Sequence, residues 1–414
     1  MRSLLAFEHG WLTIGEPGDL SPEASGQLAA AVERGELPRG CLEWGYQRVK
    51  FTQYCGVIRL DGLQIEILPK LFPEPEPGEP RRTLLYMLRR AGELEGLDLS
   101  AADLARSEAT LLDVFIRHFA ELLERQLRQG ILRGYRETVD NLDQVRGRID
   151  LVRQQRDNLF QPQRLACRFD ELTPDIPVNQ LLHSALLAVQ QLATSPLLQQ
   201  RLGALRLRFA EVGFIEPRRP RPRSSDLDRL QRRYATVVDW ANAFLDRLYP
   251  DVRGGPTRVF SLLFDMNRLF ERYATRLLRP SAQALGLKVA EQGPRRCLAI
   301  DERDRCRQAM HPDITLSDEH HSARAILDAK WKLLDEGDPL RALSGADLYQ
   351  MSTYASAYRC PVVVLLFPEQ VGMPAERTEH LYLDAALGAS LCIQPIPLDD
   401  RSPKRWLIEL LEAG

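Results

Sequence analysis

The sequence is short of the features that would place it in a membrane, a zinc fold or a nucleotide-hydrolysing class. Across 414 residues no apolar run approaches the ~18 residues that a membrane-spanning helix needs. The opening MRSLLAFEHGWL lacks a basic segment, a long apolar core and a small-residue cleavage site, so no signal peptide is expected. Seven cysteines stand at 41, 55, 167, 297, 306, 360 and 392, odd in number, scattered and without a CxxC pair. That pattern argues against a zinc cluster or a disulfide framework and for a reducing compartment, so a cytoplasmic location is expected. No GxxxxGK[ST] occurs, so the chain has no P-loop and no nucleotide site of that kind of its own. Internal repeats and long low-complexity tracts are absent too.

What is present suits a soluble globular protein with room for two or three domains. Hydrophobic residues make up 44% and charged residues 27%, well away from a disordered composition. The net charge of −2 hides a skew, because only six of the 55 basic residues are lysine. A GC-rich coding sequence accounts for most of that. Distribution says more: residues 201–279 hold 17 arginines, no lysine and nine acids. Such a segment could track phosphates, with Arg219, Arg221 and Arg223 of EPRRPRPRSS as candidate DNA contacts; a solvated helical surface facing an acidic neighbour fits the charge equally well.

Periodicity divides the chain into an α+β, mixed arrangement. Residues 1–150 begin β-rich: RVKFTQYCGVIRL and GLQIEILPKL meet at Asp61-Gly62, a hairpin signal. PEPEPGEP (73–80) reads as a turn or linker, and helical spacing follows in RTLLYMLRRAG and TLLDVFIRHFAELLERQLRQGIL. YRETVDNLDQVRGRIDL is expected to be extended again. Residues 151–255 form a helical middle region, closed by Gly254-Gly255-Pro256. From 256 to 414 the pattern is α/β: a helix SLLFDMNRLFERYATRLLRP ending at Pro280, strands KVAEQG, CRQAMHPDITLS and ARAILDAKWKLL, a helix ADLYQMSTYASAY, then three strands. One mixed sheet with helices packed on it is expected there.

That last region carries the chemistry. HPDITLS sets Asp313 beside a strand, and ILDAKWK sets Asp328 and Lys330 two apart on the next, facing one side. Two carboxylates and an ammonium at a strand end suit metal-assisted phosphodiester hydrolysis, with Mg²⁺ or Mn²⁺ held by oxygen ligands and activating a water. Lys330 would position that water and stabilise negative charge. The carbonyl of Ala329 is a further candidate ligand if the strand twists. Neither motif is specific alone: Pro-Asp recurs at 174–175 and 250–251, and acid-x-Lys is expected about once by chance. The apolar lead-in ARAIL tips the balance, because buried Asp and Lys need a reason. Glu271 on the preceding helix could add a third carboxylate, or be an exposed helical acid near Arg268 and Arg272. Gln350 and Tyr354, four apart, share a helical face and could hold the metal-bound water or scissile phosphate; a polar surface stripe explains the same spacing.

An acid in PD, then D-x-K on the next strand and Q-x-x-x-Y on the following helix, resembles the PD-(D/E)XK nuclease superfamily. More narrowly, YCGVIRLDGLQIEILPKL, VRGRIDL, DELTPDIPVNQLLHSAL and FDMNRLFERY, in that order, are similar to the McrC family, the nuclease subunit of McrBC modified-cytosine restriction systems. The resemblance implies Asp313, Asp328 and Lys330 as catalytic positions, with Glu271, Gln350 and Tyr354 in support. It also implies double-stranded DNA as substrate and a McrB-like AAA+ GTPase ring as partner, whose nucleotide hydrolysis the chain stimulates by inserting its N-terminal half into the pore. On this reading the EILPKL hairpin becomes a partner-contacting finger, with Arg48, Lys50 and Lys70 as pore contacts. Two other functions stay open: an adaptor that activates the partner without cutting, and a stand-alone RecB-like exonuclease or repair nuclease.

Overall fold

β-branched and aromatic residues at the start of the chain give short strands with tight connections. Residues 2–15, 20–71, 78–93, 110–161, 163–215, 220–248, 259–334, 343–370, 379–383, 388–399, 401 and 403–412 of a computed structural model are described here. Strand β1 (Arg2–Phe7) is followed by β2 (Trp11–Thr13) and helix α1 (Pro22–Glu33), whose cap Ser21 accepts the Ala24 N–H at 3.2 Å. Next come β3 (Leu42–Gly45), β4 (Arg48–Phe51), β5 (Tyr54–Leu60), β6 (Leu63–Leu68) and helix α2 (Gly78–Arg90). As expected, β5 and β6 form a hairpin turning at Asp61-Gly62, with Leu60 opposite Leu63 and Gly62 at φ 74°. It is not a projecting finger. Every residue of β6 is buried, and β6 sits inside a four-stranded sheet, paired in parallel with β1. The exposed ribbon is instead β2-β4-β3, with Trp44 and Tyr46 open to solvent. Of the linker expected at 73–80, residues 73–77 lie outside the described residues and 78–80 begin α2.

The middle of the chain is a unit of its own, residues 108–261. It contains α3 (Leu111–Leu127), β7 (Gly134–Leu142), β8 (Arg148–Ile149), α4 (Leu151–Asp157), β9 (Leu165–Thr173), α5 (Pro177–Leu192), α6 (Pro196–Leu207) and α7 (Ala235–Leu248). Apolar residues three and four apart on α3 and α7 bring Phe115, Phe119, Trp240 and Phe244 into one aromatic core. The β7-β9-β8 sheet has the opposite character. Tyr135 on β7, Leu151 and Val152 on α4 and Phe160 just after α4 are largely exposed, and no residue of α4 is buried.

The second unit joins residues 1–107 to 262–414, so the boundaries expected at 150 and 255 are replaced by ones near 107 and 261. The reason is β10 (Phe260–Asp265), which returns the chain to the N-terminal sheet beside β5. Gly56 permits that pairing: at φ 140° a Cβ there would stand 2.0 Å from the Leu262 carbonyl oxygen. The residues SLLFD are therefore strand where helix was expected, because they pair with β5 at the edge of the sheet and their side chains are mostly buried. Helix α8 (Met266–Ala284) continues through Pro280, since Leu277, Leu278, Ser281 and Ala282 are all buried and offset one lost N–H bond.

Then follow β11 (Lys288–Glu291), β12 (Arg296–Ile300), β13 (Cys306–Met310), β14 (Ile314–Ser317), β15 (Ala323–Ala329), α9 (Gly345–Tyr358), β16 (Val362–Pro368), β17 (Glu379–Tyr382), β18 (Ser390–Ile396) and α10 (Lys404–Glu412). Six of them form one mixed sheet in the order β11-β14-β15-β16-β18-β17. Strands β15, β16 and β18 are parallel, and β16 (VVVLLFP) is buried throughout, as the centre of a covered parallel sheet requires. CRQAMHPDITLS is two strands, broken at His311-Pro312-Asp313, because β13 pairs with β12 in a separate hairpin. That hairpin also corrects the cysteine reading: Cys297 and Cys306, nine residues apart, are joined by a disulfide. The other five cysteines are buried and free. Among the described residues no helix is long and apolar enough to cross a membrane.

Candidate active site

Three neighbouring elements and one loop converge at the C-terminal end of β15. Asp313 ends the loop before β14, and its Oδ2 accepts the Ala329 N–H at 2.9 Å. Asp328 is buried near the end of β15, and Lys330, two residues on, places Nζ 2.7 Å from Asp328 Oδ2. The alternation expected of a strand thus brings acid and ammonium together. Helix α9 supplies the cover. Gln350 receives Lys330 Nζ on Oε1 at 3.0 Å, and its Nε2 donates to Asp328 Oδ1 at 3.0 Å and Tyr354 OH at 3.1 Å. The shared face predicted from the four-residue spacing is therefore real, but Tyr354 itself donates to the His311 carbonyl at 3.2 Å. It braces the Pro-Asp loop.

Glu271, half-buried on α8, reaches the same cluster through Gln292, whose side-chain amide donates both to Glu271 Oε1 and to Asp313 Oδ1. Gln292 went unnoticed in the sequence. It stands just after β11 at φ 51°, with its own N–H on the Asp313 carbonyl at 2.9 Å. Asp347 was missed too. It lies 3.5 Å from Lys330 Nζ and 3.0 Å from Lys332 Nζ, and it closes a capping box with Ser344 at the start of α9. The S-x-x-D spelling of that box was its only sequence signal.

The electrostatics are those of acids crowded out of water. Burial, then the neighbouring Asp328 and further off Glu271, pushes the Asp313 carboxyl up to about 7. Burial raises Asp328 as well, against the pull of Lys330. Glu271 is raised by burial, partly offset by the Gln292 hydrogen bond. Burial alone would lower the Lys330 ammonium, but Asp328, then Asp347 and Asp313, outweigh it and hold it above its ordinary value. Burial is outweighed at Asp347 also, where Lys332 and Ser344 bring the carboxyl down to about 2.

The donor set fits a hard divalent cation. Asp313, Asp328 and Glu271 lie near enough to act on one another, and Asp328 Oδ2, wholly buried, meets the Lys330 ammonium at 2.7 Å. Among the described residues no three His, Cys, Asp or Glu side chains form a ready-made cage. The reason is visible: Asp313 is turned to the Ala329 amide, and Glu271 is held by Gln292. The Ala329 N–H faces Asp313, and in a strand the carbonyl of the same residue points to that edge too.

The remaining candidates lie apart from this cluster. Arg48 and Lys50 on β4 stand 4.2 and 4.8 Å over the Trp11 ring, and Lys50 pairs with Glu43 at 3.0 Å. Lys70 lies elsewhere, on the rim of a cleft with Trp331 and Lys332. In the middle unit Arg221 and Arg223 are both bound to Asp246, at 2.7 and 3.0 Å, so much of their charge is answered within the chain. Arg219 lies outside the described residues.

Comparison with known proteins adds a family. A family model described as McrBC 5-methylcytosine restriction system component matches residues 49–368, well over half of the chain. No curated protein sequence matches. Among solved structures, the chain is similar to one in a refined half-complex from a tetradecameric assembly of Thermococcus gammatolerans McrB AAA+ hexamers with bound McrC. That match has 20% identity and a TM-score of 0.73, covering 99% of this chain and 100% of that one. It is also similar to a chain of the Thermococcus gammatolerans McrBC complex determined by cryo-EM, at 23% identity and a TM-score of 0.50, covering 68% and 88%. At these identities the structures establish likeness of fold.

Proposed function

The chain belongs to the McrBC family of restriction-system components, and on that premise we propose that it is the DNA-cutting subunit, a metal-dependent endonuclease driven by an AAA+ GTPase partner. The observation that carries this reading is the crowding of Asp313, Asp328 and Glu271, all raised above their ordinary pKa, around one lysine at a strand end. A structural ion pair needs one acid per base, whereas here Asp313, Asp328, Asp347 and Glu271 crowd around Lys330 and Lys332, more acid than pairing requires. Mg²⁺ or Mn²⁺ would be held by Asp313, Asp328 and the Ala329 carbonyl, with Glu271 on the Gln292 side. When bound, such an ion lowers the pKa of water and neutralises phosphate charge.

The chain's own residues do the rest. Lys330 keeps an ammonium beside the acids and stabilises the negative charge that builds on the phosphate. Gln350 fixes Lys330 and Asp328 through one hydrogen bond each and is itself tied to Tyr354 by a third, so its role is to position them. Tyr354 holds the Pro-Asp loop, and with it Asp313, in place.

For the partner, the exposed apolar surface of α4 and the turn after it, next to the β7-β9-β8 sheet, is the better docking surface. Leu151, Val152 and Phe160 are open where a solitary protein would bury them. Arg48 and Lys50, beside exposed Trp44 and Tyr46, are kept as additional partner contacts. The test is DNA cleavage in Mg²⁺ by the chain reconstituted with its AAA+ partner, wild type against Asp328→Ala. Cutting only by the wild type is expected; equal cutting by both would end the nuclease reading.

A further inference from the structure

Beside the acidic cluster lies a second feature, a cleft of ≈340 Å³ whose walls come from the ends of β1 and β6 and from the residues just after β15. Its floor is Glu8, buried, with both carboxyl oxygens on the Trp331 indole N–H at 2.9 and 3.1 Å. Leu71 and Leu333 are apolar walls, and His9, Lys70 and Lys332 form the rim. Among the described residues Lys70 makes no ion pair, and its only bond is from its backbone N–H to Glu8 at 3.2 Å. Lys332 is more than a third exposed and shares Asp347 with Lys330. Burial holds the Glu8 carboxyl up at about 7, which weakens the negative charge of the floor.

Lysine use points the same way. Of six lysines in the chain, Lys70 and Lys332 line this cleft, Lys330 shares Asp347 with Lys332, and Lys50 acts with Lys70 on His9. In a protein that otherwise uses arginine, ammonium groups are concentrated at one place. A lysine binds phosphate as a compact point charge and reorients freely, whereas arginine imposes a planar fork.

We propose that this cleft binds a backbone phosphate of the DNA strand, next to the phosphate held at Asp313, Asp328 and Lys330. Lys70 and Lys332 supply the charge, His9 a hydrogen bond, and Leu71 and Leu333 the apolar surface for a deoxyribose. The shared acid sets the distance: Lys330 and Lys332 both bring Nζ to Asp347, at 3.5 and 3.0 Å, so the two ammonium groups stand close together. The two phosphates are then near neighbours on one strand. Asp347, between the lysines, stops them from repelling each other while the cleft is empty. The identity of the strand as the one being cut rests on the nuclease reading; the phosphate site does not.

The experiment uses the full-length chain with a short DNA duplex in Ca²⁺, so that binding is read without cutting, across a salt series. Lys70→Gln is compared with wild type and with Lys70→Arg. Removing one phosphate contact should weaken binding several-fold at low salt and flatten the log–log salt slope by about 0.9. Lys70→Arg should restore both. An unchanged slope in Lys70→Gln overturns the proposal, and so does loss of AAA+ partner binding with DNA affinity intact, which would make Lys70 a partner contact. A nuclease-dead Asp328→Ala with normal salt slope leaves the cleft standing, so the two readings fail separately. Lys70 is exposed, and an unshifted thermal midpoint confirms that the variant folds.

Discussion

The acidic cluster at the end of β15 and the β7-β9-β8 sheet of the middle unit break the same rule in opposite directions. The first buries charge: Asp328 is 3% exposed and sits against an ammonium and two further acids. The second, with the helix α4 that follows β8, exposes apolar groups: Tyr135 of β7 and Val152 of α4 are each 77% exposed, and Phe160 after α4 93%. Neither arrangement stabilises a solitary chain. On the proposed function each suits a ligand, a cation and a phosphate in one case and another protein in the other. Where a fold departs from burying oil and wetting charge, the sign of the departure indicates the chemistry of the ligand.

The largest effect should come from the buried end of that contrast. Asp328→Ala is expected to lower cleavage by the reconstituted pair on the order of a thousandfold or more, while stimulation of the partner's GTP hydrolysis continues. Loss of both together would break the comparison, because the cluster would then serve docking. At the other end, the pair Val152→Ser and Phe160→Ser should weaken partner binding by roughly tenfold to a hundredfold, as loss of apolar anchors does. Titration of the partner with metal-ion affinity as the control checks it; a matching loss of metal affinity would erase the distinction between the regions.

Gln292→Ala sharpens the first region further. It releases Glu271 and Asp313 from their shared amide and should reduce the cutting rate by about tenfold with little change in DNA affinity, read from single-turnover kinetics. The smallest effect is on pH dependence. The Asp313 carboxyl is raised to about 7 in the folded chain, so the native state holds a proton that the unfolded chain releases near 4. Its contribution is present at low pH and is lost as pH rises through 7, so the metal-free protein should lose stability between about pH 4 and 7, by at most one proton's worth per pH unit. Asp313→Asn should flatten that slope in denaturant titrations. For the same reason Mg²⁺ affinity of the wild type should rise through pH 7.

Much of the cluster was legible because it is local. Asp328 and Lys330 are two apart on one strand, and Gln350 and Tyr354 four apart on one helix, and both periods hold. Gln292 and Asp347 were not legible, because their roles come from a strand end and a helix cap meeting residues far away in sequence. Similarly, the Asp61-Gly62 turn was readable, but the burial of its hairpin was not. That depends on partners outside the hairpin, β1 beside β6 and, some two hundred residues on, β10 beside β5. The strand SLLFD read as helix for a related reason: its apolar run carries no period of its own, and tertiary pairing decided it. The disulfide between Cys297 and Cys306 needed the irregular β12-β13 hairpin, which brings their Cα atoms to 5.6 Å although neither is the other's cross-strand partner.

Isothermal calorimetry of Mn²⁺ or Mg²⁺ binding to wild type, Asp313→Asn and Asp328→Asn tests the central claim most directly. One divalent site in the wild type that is lost or weakened at least tenfold in both variants is the predicted result. Equal binding by all three proteins would contradict the account, because the ion would then lie somewhere other than among Asp313, Asp328 and Glu271.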